Sequence, residues 1–262
     1  MKFLGNGISI EYELFGPEGA PVIVLSHSLG SSSVMWAPQL SKLAAKHRVL
    51  CYDTRGHGGT AVTEGAYNLD QLGDDAIALL SGLGLNQVHW VGLSMGGMIG
   101  QNIALRQDGR FKSLSLCDTS AQMPPEAMAT WNERIAVSQG SGMFPLADPT
   151  MDRWFTGAYL ATKPSSVEAI KAQFLATAPS GFVGCCQALK TLDYLDQLHT
   201  IDIPTLIIVG ADDPSTTVAQ SEAMHERIPN SQLVVIPDGS HLSNVEQPIA
   251  FSTALLSFLN GL

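Results

Sequence analysis

Two rhythms of apolar and polar positions alternate along the chain. Residues 21–26 (PVIVLS) form an unbroken, largely β-branched run, the pattern of a strand buried on both faces. Residues 8–15 instead alternate apolar and polar, as a half-exposed edge strand does. Further buried-strand runs are predicted at 48–52, 88–93, 113–117, 204–209 and 232–236. Most are separated by stretches with helical periodicity, at 36–45, 69–83, 95–106, 217–228 and 246–259. Strands that alternate with helices predict an α/β fold with a mostly parallel sheet, antiparallel at its N-terminal edge.

The rhythm breaks between Gln122 and Leu192, where no β-branched run occurs and aromatic, Met and Pro residues sit among helical patterns. The expected organisation is therefore one core, 1–121 with 192–262, carrying an inserted helical lid over 122–191. Such a lid has to bury its apolar side chains, Trp131 and Trp154 among them, against itself or against a substrate cavity.

Composition narrows the class of function. The chain has 262 residues, 45% hydrophobic and 15% charged, the balance of a compact globular protein. Its net charge of -10, with no clustered Lys and Arg, argues against binding nucleic acid. The four cysteines show neither CxxC nor metal-ligand spacing, and no apolar run is long enough to span a membrane. Residues 1–10 lack a basic stretch followed by an apolar run, so a reduced cytoplasmic protein is expected.

The strongest chemical signal is Gly92-Leu93-Ser94-Met95-Gly96, followed by Gly97, directly after the run 88–93 and opening a helical pattern. A strand that turns sharply into a helix strains its central residue, and flanking glycines remove the Cβ atoms that would collide there. Ser94 is the expected nucleophile, held where a helix N-terminus aims free N–H groups at developing negative charge. A serine hydroxyl is a weak nucleophile, so it needs a base, and the base needs an acid to fix its tautomer. Two later strands end at the same edge of a parallel sheet. One leads into Gly210-Ala211-Asp212-Asp213-Pro214 and the other into Pro237-Asp238-Gly239-Ser240-His241. His241 is the expected base; Asp213 is preferred to Asp212 as the acid, although spacing alone does not separate them. For the oxyanion hole, the expected donors are Met95 N–H and Leu29 N–H, the latter from the loop Ser26-His27-Ser28-Leu29-Gly30.

With these residues in view, the chain resembles the 3-oxoadipate enol-lactonases of the α/β-hydrolase superfamily over nearly its whole length. The likeness rests on Ser26–Gly30, Met35-Trp36, Tyr52-Asp53-Thr54-Arg55-Gly56-His57-Gly58, Gly92–Gly97, and the lid segments Trp131-Asn132-Glu133-Arg134-Ile135 and Arg153-Trp154-Phe155-Thr156. It implies an α/β-hydrolase fold with an eight-stranded sheet, an acyl-enzyme mechanism without a cofactor, and a small lactone substrate that carries a free carboxylate. The implied reaction opens that lactone to 3-oxoadipate late in protocatechuate and catechol degradation. A carboxylate in an apolar pocket needs a cation or several donors; Arg134 is the first candidate and Arg153 and Lys163 the next, with Trp131 and Trp154 as pocket walls. Two rival readings remain: a carboxylesterase or perhydrolase acting on small neutral esters with the same triad, and a ligand receptor built on a hydrolase fold.

Overall fold

The computed structural model describes residues 1–106 and 109–262. Among these, eight strands form one sheet in the order β1-β2-β4-β3-β5-β6-β7-β8. They are β1 (Lys2–Gly5), β2 (Ile8–Phe15), β3 (Val22–Ser26), β4 (Arg48–Tyr52), β5 (Val88–Leu93), β6 (Phe111–Cys117), β7 (Thr205–Gly210) and β8 (Ser231–Ile236). The β1–β2 and β2–β4 pairs are antiparallel, and all the others are parallel.

β1 is an addition to the strands predicted from the pattern. Asn6 and Gly7, with φ of 48° and 77°, turn it back onto β2. That pair of left-handed residues is the turn whose twist matches a tight hairpin.

Register places the chemistry. Ser26 pairs with Gly92, Leu93 with Cys117, Cys117 with Ile208, and Gly210 with Ile236. Five carboxyl ends therefore lie along one rim, and the segments that follow them emerge side by side. The central strands are buried on both faces, with Trp36, Trp90 and Tyr52 among the largest fully enclosed side chains.

Helices α1 (Ala37–Leu43), α2 (Leu69–Gly82) and α3 (Met95–Leu105) connect the first strands. Between β6 and β7 lie α4 (Met128–Ser141), α5 (Phe144–Trp154), α6 (Gly157–Ala161), α7 (Ser165–Ala176) and α8 (Pro179–Leu189). This insertion leaves and rejoins the sheet at one neck, where Met123 N–H donates to Leu192 O and Tyr194 N–H to Ala121 O. The remaining helices are α9 (Val218–Arg227), α10 (Ser243–Glu246) and α11 (Pro248–Asn260).

Two predicted helices are corrected. The segment 36–45 begins as a 3-10 turn, Ser33–Trp36, before α1, which ends at Leu43. The segment 246–259 is split at Gln247, because Pro248 has no N–H to donate and its fixed φ suits a helix start. No helix among the described residues is long and apolar enough to cross a membrane.

Candidate active site

Ser94 sits on the turn between β5 and α3 with φ 55° and ψ -116°, a strained geometry for a residue with a side chain. The surroundings enforce it. Ser94 N–H donates to Cys117 O at 2.9 Å, and Thr119 Oγ1 donates to Ser94 O at 2.7 Å. The glycines are required by space: a Cβ on Gly92 would lie 2.1 Å from Gly96 O, and one on Gly96 would lie 2.1 Å from Ser26 O.

Ser94, His241 and Asp213, remote in sequence, meet at this rim and are all buried. Ser94 Oγ lies 3.0 Å from His241 Nε2, and His241 Nδ1 lies 2.9 Å from Asp213 Oδ2. An Nδ1–H that donates to the carboxylate leaves Nε2 free to accept from the serine hydroxyl. Burial pushes the Asp213 carboxyl up, but His241, the Thr216 hydroxyl and the Ser215 N–H outweigh it, so its net shift is downward and it is ionised. Asp212 is exposed, and its backbone N–H donates to Gly239 O.

Two residues of this constellation carry no sequence motif. Thr216 Oγ1 donates to Asp213 Oδ2 at 2.6 Å and lies 3.2 Å from His241 Nδ1. Asp118, wholly buried after β6, accepts from Gly210 N–H. Their only signal is position, one just beyond each of two strand ends.

The loop after β3 is held by two buried histidines. His27 Nδ1–H donates to Ser28 O at 2.8 Å, and Ser31 N–H donates to the same oxygen at 3.2 Å. Because a trans peptide points its N–H opposite its carbonyl, anchoring Ser28 O aims Leu29 N–H the other way. Gly30 N–H donates to His57 Nε2 at 2.9 Å. Burial, reinforced by His27, pushes the His57 imidazole down to about 3, so it stays a neutral acceptor. Among the described residues, neither Leu29 N–H nor Met95 N–H has a protein acceptor, although both residues are buried. Two such free donors beside a serine can stabilise an oxyanion.

Ser28, Leu29, Ser94 and His241 open into a cavity of about 220 Å³. Its walls come largely from the insertion: Met123, Trp131, Leu146, Trp154, Phe174 and Phe182, with Arg134 and Arg153 among them. The Arg134 guanidinium lies 4.9 Å from the centre of the Trp131 ring. Arg153 donates to Thr150 Oγ1, and among the described residues neither arginine forms an ion pair. Burial pushes both guanidinium groups down, Arg153 to about 10 with the Arg134 charge adding to the effect. Lys163 is exposed and does not line this cavity.

One wall is pinned to the His241 turn. Ser240 Oγ donates to Arg153 O and Leu242 N–H to Trp154 O. The buried Glu246 carboxylate accepts from Ser240 N–H and from the Thr156 N–H and hydroxyl.

The family model described as alpha/beta hydrolase fold matches residues 21–248. The chain is 40% identical over 248 residues to 3-oxoadipate enol-lactonase 2 of Acinetobacter baylyi, covering 95% of this chain and 92% of that one. It is 31% identical over 242 residues to a Caulobacter sp. (strain K31) protein named, provisionally, carbamate hydrolase RutD, covering 91% and 90%. The crystal structure of the enol-lactonase from Burkholderia xenovorans LB400 superimposes with a TM-score of 0.95 at 35% identity, over 99% of this chain and 100% of that one. On these grounds the chain belongs to the alpha/beta hydrolase fold family and is a hydrolase similar to the 3-oxoadipate enol-lactonases.

Proposed function

We propose that the protein is a serine hydrolase that opens 3-oxoadipate enol-lactone, or a close carboxylated relative, to the open-chain oxo acid. The reaction belongs to the late breakdown of protocatechuate and catechol. One observation carries the reading: the Ser94–His241–Asp213 chain of hydrogen bonds faces a largely apolar cavity holding two arginines that form no ion pair among the described residues.

In this reading Ser94 Oγ attacks the lactone carbonyl while His241 Nε2 takes its proton, and Asp213 stabilises the imidazolium. Leu29 N–H and Met95 N–H receive the tetrahedral oxyanion, each worth about 10² to 10³ in rate. Collapse breaks the ring C–O bond, and His241 returns the proton to the enol oxygen, which stays tethered through the acyl chain. Tautomerisation of the enol to a ketone disfavours reclosure. Water, deprotonated by His241, then attacks the acyl-enzyme, the oxyanion collapses, and Ser94 is released with its proton restored. Arg134, with Arg153 beside it, holds the substrate carboxylate, Trp131 and Trp154 wall the acyl portion, and residues 122–191 act as the lid. No cofactor enters these steps.

Steady-state rates on authentic enol-lactone, short neutral esters and a carbamate test the reading. The lactone is expected to give the highest kcat/KM, and Ser94→Ala is expected to abolish nearly all turnover without unfolding. A strong preference for neutral esters would make the protein a carboxylesterase with the same chemistry. Saturable binding without multiple turnovers would make it a receptor.

A further inference from the structure

The proposed reaction leaves one buried acid at the catalytic rim without a task. Asp118 follows β6 directly, is 0% exposed, and has φ 42°, a left-handed backbone that disfavours side chains. Its N–H donates to Ile208 O at 2.8 Å, which sets the carboxyl between two neighbouring segments. Asp118 Oδ1 accepts from Gly210 N–H at 2.8 Å, and a 2.5 Å hydrogen bond joins Oδ2 to Ser243 Oγ. Gly210 closes β7, three residues before Asp213, and Ser243 opens α10, two residues after His241. Asp118 itself makes no hydrogen bond to Asp213 or His241 among the described residues.

We propose that Asp118 is a positioning residue whose carboxyl ties the end of β7 to the start of α10 and so fixes the separation of Asp213 from His241. The inference rests on the triad reading above. The groups that face the carboxyl act in opposite senses. From β6 comes the buried Cys117 thiol and from the β7 turn the ionised Asp213, which favours the protonated form, whereas the hydrogen bonds from the Ser243 hydroxyl and N–H and from Gly210 N–H favour the carboxylate; no cation is among these groups. Burial first, and the Asp213 charge second, hold the carboxyl well above the usual carboxylate range. Both carboxyl oxygens act as acceptors, Oδ1 from Gly210 N–H and Oδ2 from the Ser243 hydroxyl. Asparagine spans the same gap, with Oδ1 accepting from Gly210 N–H and Nδ2 donating to the Ser243 hydroxyl, which rotates to accept.

Activity on a short neutral ester is the assay, because it needs neither the lactone nor the arginines. Asp118→Asn is expected to keep kcat within about threefold of the parent enzyme, with the acid limb of its kcat/KM profile unmoved. Asp118→Ala and Ser243→Ala are expected to lower kcat about 10- to 100-fold with KM within about twofold, the size of effect that misplacing a catalytic group produces. Three outcomes overturn the proposal: an Asn variant as slow as the Ala variant, an acid limb displaced by about half a pH unit or more, or Ser243→Ala at the parental kcat. Should Asp118→Ala be insoluble, Asp118→Asn and Ser243→Ala decide between them. Ser94→Ala run in parallel keeps the two ideas apart. A surviving rate there sinks the triad reading, whereas an inactive Ser94→Ala beside an unaffected Ser243→Ala sinks only the role given to Asp118.

Discussion

Mild acid should remove the share of stability that His57 contributes, well before exposed carboxylates are protonated. The ring is 1% exposed, and its Nε2 accepts from Gly30 N–H, so a proton on Nε2 would abolish that bond and leave two donors facing each other. Burial first, then His27, pushes this imidazole down to about 3, whereas an unfolded histidine titrates near about 6.5. Below about 6.5 the unfolded chain binds a proton at this ring that the native chain refuses, so the His57 contribution to stability falls as pH falls, down to the native value. At pH 5 the difference amounts to about 1.5 pH units of proton binding, or about 2 kcal/mol at about 1.36 kcal/mol per unit. Buried His27, pushed down by burial, acts in the same direction. Asp213 does not blur the window, because its net downward shift adds stability that is lost only as pH falls below the ordinary carboxylate range. His57→Gln offers Gly30 N–H an acceptor that does not titrate. Urea unfolding at pH 7 and pH 5 should therefore show the parent protein losing about 2 kcal/mol more than the variant. Equal losses in the two proteins would refute the assignment of this proton to His57.

Three further outcomes are expected. Asp213→Asn should lower kcat by about 10³- to 10⁴-fold while Asp212→Asn stays within a few-fold, as steady-state rates on either ester class would show. Arg134→Gln should reduce kcat/KM for the carboxylated lactone about 10- to 100-fold, the worth of one charge-assisted hydrogen bond, and change that for a neutral ester little. Gly56→Ala should destabilise by at least about 1–3 kcal/mol in urea melts, since Gly56 has φ 79° and its added Cβ would lie 2.5 Å from Gly181 Cα in α8.

Most of the sheet was legible because parallel strands buried on both faces must be continuous apolar runs, and 21–26, 88–93 and 204–209 look like nothing else. β1 was missed although Asn6-Gly7 is a strong hairpin signal, because its four residues show too little alternation to stand out. The split at Gln247 escaped periodicity because the apolar stripe runs on across Pro248. Within the site, Ser94 and His241 could be named because each sits beside glycines at a strand end. Spacing allowed only a preference for Asp213 over the adjacent Asp212, since which carboxylate turns inward depends on the three-residue turn that Thr216 closes. Asp118 and Thr216 belong to no motif, and their part emerges only from the alignment of β6, β7 and β8.

The bonds from Ser240 and Leu242 to residues 153 and 154, with Glu246 bridging to Thr156, bear on how new specificities could be built. Grafting a foreign α5 would disturb the imidazole along with the selectivity filter, so loss of rate would accompany any change of preference. Met123, Trp131 and Arg134 also line the cavity, and among the described residues they form no hydrogen bond with the segment 240–242. Diversity introduced there, with 153–156 left intact, should let recognition drift while the chemistry stays in tune.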